Sequence, residues 1–422
     1  MENLFLKTGW STLGPLDLID PSWKPAKFSF EYWMFQALKL AQSCAGRASP
    51  NPTVGCVFVK HNKIVSEGVT ESYGGRHAER VAIESCSDKS CLKGSDCYVT
   101  LEPCAHYGKQ PPCVEAIIAV KPSRVFCAIS DPFDKVSGRG IQALREAGIE
   151  VNVGVLALES ILWHLPFLFA NLKKRPLVVA KWAQTANGMF ADQKAKSKWI
   201  SGTTSRRLTH LARQNYDAIA VGIGTFLVDE PQLNVREHLY PVGRQPVRVL
   251  IDPKGSLNEV DTKILKSSKV SSIKSPLIYL GPSVVSKKIK DKLAILAPDH
   301  RAVAANENLI SLGRELESSF EELTTKPLQS IFVEGGAHTL SHLLDRNQID
   351  YIQRFEAFSF VRQSSYQIFS RCGPVNMSEK LDFHLSALNR IDGDILSEAC
   401  SREVLALIQS IIGSTNRFIK HV

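Results

Sequence analysis

Apolar and polar positions along this chain follow two periods, and the period switches at regular intervals. In Glu31–Ala45 the apolar residues Met34, Ala37, Leu38 and Ala41 recur at helical spacing, and Gly46 is placed to end the helix. Cys56–Lys60 and Ile64–Val69 alternate as two strands around His61-Asn62-Lys63. The pattern then predicts a helix over His77–Ser85, a strand over Cys97–Leu101, a helix over Pro112–Val120, a strand over Arg124–Ile129, a helix over Gly140–Ala147 and a strand over Glu150–Val155. Strands and helices alternating at this rhythm predict an α/β sandwich with a mixed sheet.

Asn171–Pro176, Asn-Leu-Lys-Lys-Arg-Pro, is a polar break that serves as a domain boundary. A second α/β series begins at Leu177. Strands are expected at 177–182, 217–222, 247–251, 277–280 and 329–333, with helices near 203–214 and 336–345. Lys254–Ser275 reads as a polar, lysine-rich loop. From Phe355 onward the period is lost, apart from a helical stretch at Ser401–Ile412. Residues 1–29 carry three prolines and no clear period, and read as an irregular N-terminal extension. The resulting division is an extension over 1–29, one domain over 30–172 and another over 173–422.

Composition narrows the class. The 422 residues are 44% hydrophobic and 22% charged, as in a well-packed globular protein of two to three domains. The net charge of +9 suits nucleic acid or phosphorylated small molecules equally, and no run of Lys and Arg is long enough for a nucleic-acid arm. Ile161–Leu172, the most apolar stretch, is short and interrupted by His164 and Pro166, so no membrane span is expected. Met1–Phe30 lacks the features of a secretory signal. Ten cysteines without a disulfide ladder point to a reducing cytoplasm.

The chemistry concentrates between Gly74 and Cys113. His77, Cys104 and Cys113 are three N/S donors, which leave a tetrahedral zinc one open position, the arrangement of a catalytic site. Water in that position loses a proton more easily. Glu79, two residues after His77 at a helix start, can turn its carboxylate toward that water and pass a proton to a leaving amine. His-x-Glu followed by Pro-Cys and a further Cys is the signature of zinc deaminases acting on nucleobases. Asn51, in the rigid loop Ser49-Pro50-Asn51-Pro52, either caps its own turn or hydrogen-bonds a substrate at the metal. In the second series, Gly222-Ile223-Gly224-Thr225 and Val333-Glu334-Gly335-Gly336 each end an apolar strand and open a helix. That junction lets backbone approach an anion, and two in one domain favour a nucleotide site.

Over roughly residues 30–350 the chain resembles the bifunctional deaminase/reductase family of riboflavin biosynthesis. The deaminase half of the resemblance rests on Ser49-Pro50-Asn51-Pro52, Gly55, Gly75-Arg76-His77-Ala78-Glu79, Thr100–Gly108, Pro111-Pro112-Cys113, Asp131-Pro132 and Gly138-Arg139-Gly140. The reductase half rests on Lys181, Ser197–Gly202, Gly222–Thr225, Asp229–Arg236 and Val333–Gly336. The resemblance implies a cytidine-deaminase-like α/β/α sandwich followed by a dihydrofolate-reductase-like α/β domain. It implies Zn2+ and NADPH as cofactors, with NADPH contacts at Ala183, Trp199, Thr225, Asp229 and Gly336. Substrate contacts are implied at Asn51, Ser197, Arg213, Leu233, Arg236 and Glu334, where Arg213 and Arg236 suit a phosphate bidentately.

The expected activity is zinc-hydroxide deamination of 2,5-diamino-6-ribosylamino-4(3H)-pyrimidinone 5′-phosphate, with Glu79 catalytic. NADPH reduction of the ribosyl group to ribityl follows. The partner is then a phosphorylated pyrimidine, with neither nucleic acid nor membrane, and a homo-oligomer is left open. The family's Ser-x-Asp-Gly loop is here Thr185-Ala186-Asn187-Gly188, which predicts a slowed reductase that Asn187→Asp accelerates. Alternatives are a deaminase with a weakened reductase, a nucleic-acid base deaminase, and a binding module whose zinc is closed by His106 as fourth ligand.

Overall fold

The computed structural model describes residues 25–108, 110–133, 137–191, 199–236, 244–267, 275–304, 312, 314–362, 367 and 380–418. These fall into two compact units. One runs to Leu168 and takes in Leu405–Phe418; the other holds Phe169–Arg236 and Arg244–Val404.

The first unit contains α1 (Phe30–Gln42), β1 (Gly55–Lys60), β2 (Lys63–Val69), α2 (Ala78–Ser85), β3 (Asp96–Val99), α3 (Cys113–Val120), β4 (Arg124–Cys127), α4 (Arg139–Glu146) and β5 (Glu150–Val153). Its five-stranded sheet has the order β2-β1-β3-β4-β5. β1 is antiparallel to β2 and β3, while β3, β4 and β5 are parallel and joined through α3 and α4. The tight hairpin forms because His61 and Asn62 both take left-handed backbone, φ 51° and 57°, which suits the twist of the paired strands. Ser29 caps α1 by accepting from the Tyr32 N–H at 3.1 Å. Trp33, Met34 and Ala37 then pack on Val57, Val59, Tyr98 and Phe126. Gly68 of β2 is required sterically, because a Cβ there would stand 2.3 Å from the Ala78 carbonyl oxygen. α2 therefore lies directly on the sheet backbone, and its first turn is held at a fixed height above the strands.

The apolar stretch interrupted by His164 and Pro166 is part of a single helix, α5 (Ala157–Lys173). Burial pushes the His164 pKa down to about 3, so the ring is neutral, and its Nε2 lies 3.2 Å from Thr100 Oγ1. The two units divide at Leu168/Phe169, inside this helix and just before the polar break at Asn171–Pro176.

The second unit contains β6 (Leu177–Thr185), α6 (Thr203–Ala212), β7 (Ala218–Gly222), α7 (Ile223–Asp229), β8 (Val247–Ile251), α8 (Thr262–Ser267), β9 (Leu277–Gly281), α9 (Lys287–Leu296), β10 (His300–Ala304), α10 (Arg314–Thr324), β11 (Ser330–Glu334), α11 (Ala337–Asp345), β12 (Tyr351–Ala357), β13 (His384–Ile391) and β14 (Asp394–Cys400). Its sheet runs β10-β9-β8-β7-β11-β6-β12-β14-β13, parallel from β10 to β12 and antiparallel thereafter. The expected loop at 254–275 contains a 3₁₀ turn at Ser256–Glu259 and the helix α8; residues 268–274 lie outside the described residues.

β10, β12, β13 and β14 lie outside the strands expected from the sequence, and the last three have a specific reason. Their apolar period is broken because Gln353, Ser386, Asn389, Asp394, Ser397 and Glu398 are buried. Some of these pair internally: Tyr351 Oη lies 2.7 Å from Ser386 Oγ, and Gln353 Nε2 donates to Tyr216 Oη at 3.3 Å.

The last helix, α12 (Arg402–Asn416), begins in the second unit and ends in the first, whereas the sequence expectation assigned all of 173–422 to the second domain. The physical reason is specific bonding at its end. Thr415 Oγ1 accepts from the Ser130 N–H at 3.3 Å, Arg145 Nη2 donates to the Phe418 carbonyl at 2.7 Å, and the Phe418 ring packs on Gly138. Deleting residues 415–422 is expected to destabilise the first unit by about 1–3 kcal/mol, the range for losing buried hydrogen bonds and apolar packing. Urea unfolding followed in the first unit checks this, and an unchanged midpoint would contradict it.

Candidate active site

His77 stands in extended backbone as the residue before α2, so its ring projects beyond the helix while Glu79 falls in the first turn. β3 ends at Val99, and the chain continues through Glu102-Pro103 to deliver Cys104. Cys113 opens α3, and its hydrogen bond to Cys104 together with burial raises its thiol while lowering that of Cys104. His77 Nδ1 lies 3.6 Å from Cys104 Sγ and 3.4 Å from Cys113 Sγ. The Cys113 N–H also donates to Cys104 Sγ at 3.3 Å. The three donor atoms lie within 4.8 Å of one another, and among the described residues no fourth His, Cys, Asp or Glu joins them. His106 is exposed and outside the group, so the closed structural site with His106 as fourth ligand is not formed.

Electrostatics fit a metal-binding thiolate. Hydrogen bonds from Cys113 and His77 draw the Cys104 thiol down to about 4, against the desolvation that would raise it. The Cys104 bond in turn raises the His77 pKa. Two sulfurs and one imidazole nitrogen, one sulfur already poised as thiolate, form a donor set that suits zinc with one position open. Glu79 is buried, and desolvation pushes its carboxyl up to about 7, with the nearby Cys104 charge adding to the rise. A carboxyl at that value exchanges protons readily near neutral pH.

Two carboxylates beside this cluster went unassigned from sequence. Glu102 is buried and accepts four backbone N–H groups: Asp131 at 2.9 Å, Gly138 at 3.0 Å, Gly140 at 2.9 Å and Ile141 at 3.2 Å. It caps α4 and ties that helix to the loop of Cys104. Gly140 is required here, because a Cβ would stand 2.1 Å from the Pro103 carbonyl oxygen. Asp131 is buried too; desolvation lifts its carboxyl to about 7 while the Phe133 N–H bonds it at 3.0 Å. The signal in the sequence is the motif Leu101-Glu102-Pro103-Cys104 itself, which sets a carboxylate two residues before a candidate metal donor. Asn51 is half-buried in the loop between α1 and β1, its N–H bonded to the Ala48 carbonyl at 2.9 Å.

In the second unit the two glycine junctions meet. β7 and β11 are adjacent and parallel, and the Gly336 N–H donates to Thr225 Oγ1 at 3.0 Å. Gly222 and Gly336 are the N-cap residues of α7 and α11, and as glycines they offer no side chain of their own to cap the helix. A nine-residue helix opening on glycine at the carboxyl end of a parallel strand suits a dinucleotide phosphate. Ala183 lies in β6, and exposed Asp229 ends α7. Trp199 is 60% exposed, its ring under the Arg206 guanidinium at 4.5 Å. Ser197 lies outside the described residues.

Leu233 is buried with φ 51°, a left-handed turn that leads the chain to Asn234 and Arg236. Arg213, expected to contact the substrate phosphate, is paired within the protein. Its fork is bidentate to Glu334, Nε at 2.5 Å and Nη2 at 2.8 Å, and Nη1 donates to the Asn234 carbonyl at 3.0 Å. That pairing, with Lys181 and His210 nearby, holds the Glu334 carboxyl down to about 2 against desolvation. Arg236 is exposed, with Nη2 2.8 Å from His210 Nε2 and Nη1 donating to Asn234 Oδ1 at 3.2 Å. Lys181 is paired in register with Glu334 across β6 and β11. His210 was missed from sequence, although it lies three residues before Arg213 on one helix face.

Fold and site together define a two-domain deaminase–reductase. Residues 29–129 match the family model for the cytidine and deoxycytidylate deaminase zinc-binding region, and residues 176–357 match that for the RibD C-terminal domain. The riboflavin biosynthesis protein RibD of Aquifex aeolicus is 37% identical over 77% of this chain and 86% of its own length. That of Escherichia coli is 30% identical over 86% and 97%. A solved structure from Thermotoga maritima, titled a diaminohydroxyphosphoribosylaminopyrimidine deaminase/5-amino-6-(5-phosphoribosylamino)uracil reductase, superposes with a TM-score of 0.69 at 33% identity, covering 88% of this chain and 98% of that one. The chain belongs to the RibD family. It is a bifunctional enzyme of riboflavin biosynthesis, with a zinc deaminase domain and an NADPH-dependent reductase domain. No helix among the described residues is long and apolar enough to cross a membrane.

Proposed function

We propose that His77, Cys104 and Cys113 hold zinc and that Glu79 moves the protons of deamination. The substrate is 2,5-diamino-6-ribosylamino-4(3H)-pyrimidinone 5′-phosphate, whose ribosyl group the second domain then reduces to ribityl. The observation that carries the first part is the convergence of the three donors within 4.8 Å beside a buried carboxylate. Zinc on such a donor set supplies Lewis acidity that makes water a nucleophile at neutral pH. Glu79 takes the proton of the attacking water and delivers it to the departing 2-amino group. Burial suits it to both tasks, because a carboxyl held near 7 gives up and accepts protons with comparable ease. Asn51 is assigned to orient the pyrimidine ring through its amide. We expect one zinc per chain by elemental analysis and its loss in Cys104→Ala, Cys113→Ala; full zinc in that double variant would remove the assignment.

In the reductase domain NADPH supplies the hydride. We assign its contacts to Ala183, Trp199, Thr225, Asp229 and Gly336, supported by the two glycine junctions that the Thr225–Gly336 hydrogen bond joins. Substrate contacts are assigned to Ser197, Leu233, Arg236 and Glu334. Arg236, exposed and cationic, takes the phosphate. Arg213 acts through Glu334, fixing its carboxylate and keeping it ionised. The cytoplasm is the compartment that suits free thiols and a thiolate metal site. The nucleic-acid deaminase alternative leaves the match of residues 176–357 to the RibD C-terminal domain without a purpose.

Asn187 changes the expectation for its own variant. Thr185 Oγ1 donates to Asn187 Oδ1 at 2.7 Å, and Asn187 Nδ2 donates to the Val361 carbonyl at 2.6 Å. The amide latches the first reductase loop to the segment after β12, and a carboxylate would oppose the Val361 carbonyl. Asn187→Asp is therefore expected to slow NADPH oxidation with deaminated substrate by ~2- to 10-fold, the worth of one hydrogen bond of about 0.5–1.5 kcal/mol. Acceleration would restore the reading of Asn187 as a missing charge.

A further inference from the structure

Among the described residues nine cysteines are free thiols. Cys104 and Cys113 belong to the metal cluster, and Cys44, Cys56, Cys86, Cys97, Cys127 and Cys400 are buried. Cys91 alone is both partly exposed and outside the cluster. Its sulfur lies 3.1 Å from that of Cys86, so about 1 Å of closure brings the pair to bonding distance. Cys86 ends α2, and Cys91 lies in a single 3₁₀ turn, Lys89–Leu92, before β3. The intervening loop is already organised: Cys86 Sγ donates to the Asp88 carbonyl at 3.2 Å, and the Ser90 N–H donates to the Asp88 carboxylate at 2.9 Å.

The neighbouring surface favours the approach of an anionic reagent. Lys89 and Ser90, immediately before Cys91, line a groove of about 480 Å³ with Arg80, Lys93 and Lys121, opposed by Glu84. These cations draw in a reagent that bears carboxylates, while the hydrogen bond to Cys86 and partial burial raise the Cys91 thiol, so the exchange quickens as pH rises.

We propose that Cys86 and Cys91 form a reversible dithiol–disulfide site, oxidised by a low-molecular-weight disulfide and separate from the metal thiolates. The Cys91 thiolate attacks one sulfur of the reagent. The reagent S–S bond breaks and one reagent thiolate leaves, giving a mixed disulfide on Cys91. The Cys86 thiolate then attacks the Cys91 sulfur, forming the Cys86–Cys91 bond and expelling the second reagent thiolate. The protein loses two electrons, the reagent gains two, and the two protein protons end on the two released thiols. The new bond closes a short loop and ties the end of the helix that carries Glu79 to the turn before β3.

The test treats zinc-loaded full-length protein with oxidised glutathione, alkylates the remaining thiols, and maps peptides by mass spectrometry alongside zinc content. The expected product has lost the mass of two hydrogens, carries a Cys86–Cys91 link that dithiothreitol reverses, and retains its zinc. In Cys86→Ser a glutathione adduct persists on Cys91, because the thiol that would resolve it is gone. A stable Cys91 adduct in the unaltered protein, a link from Cys91 to any other cysteine, an unreacted Cys91, or zinc loss accompanying oxidation would each overturn the proposal.

Discussion

Glu79→Gln is expected to keep its zinc and to lose ammonia release by at least ~10²–10⁴-fold, the usual contribution of a positioned acid–base group. The amide preserves the shape of the buried side chain beside Cys104 and Cys113, so the donor set is untouched. It cannot carry a proton, and deamination needs one moved from water and another delivered to the amine. The variant separates this role from a structural one, since a carboxylate needed only for packing would be replaced well by its own amide. Zinc analysis and ammonia release are measured on the same preparation. Near-normal release would remove Glu79 from the chemistry, and loss of zinc would make it a structural partner of the site.

The second large effect is expected at Glu102. Its carboxylate serves four backbone N–H groups in a buried setting, from Asp131, Gly138, Gly140 and Ile141. One unmet buried polar group costs about 1–3 kcal/mol, so Glu102→Ala, which strands four, is expected to cost more than ~3 kcal/mol. Against a total stability of roughly 5–15 kcal/mol for a domain that is a large share. The residue also fixes the loop delivering Cys104, so zinc affinity is expected to fall with stability. Denaturant unfolding of the first unit measures the first effect and competitive chelation the second. A loss below ~1 kcal/mol would mean that water replaces the carboxylate without penalty.

Much of the first unit was legible because its elements are short and cleanly periodic. The hairpin at His61-Asn62 and the helix start at His77 are local signals, and the candidate metal donors follow from residue type. The motif also held Glu102, but its task depends on Asp131 and the start of α4, which only folding brings near. In the second unit the parallel strands β6, β7, β8, β9 and β11 read well, because strands buried on both faces are near-continuous apolar runs. β12, β13 and β14 did not, since their inward positions hold Gln353, Ser386, Ser397 and Glu398. Arg213 and Arg236 looked alike in sequence. The first is buried and paired with Glu334, while the second stands at the surface. His210 was legible in principle, one helical turn before Arg213, but a lone histidine on a helix gives no sign of its partner.

The most direct test of a two-step enzyme supplies zinc-loaded protein with the diaminopyrimidinone ribosyl phosphate, with and without NADPH. Ammonia and NADPH oxidation are followed separately. Ammonia is expected in both conditions, with NADPH oxidised only as deaminated product accumulates and in equal final amount. NADPH oxidation without prior ammonia release, or neither signal from zinc-replete protein, would contradict the assignment of both steps to this chain.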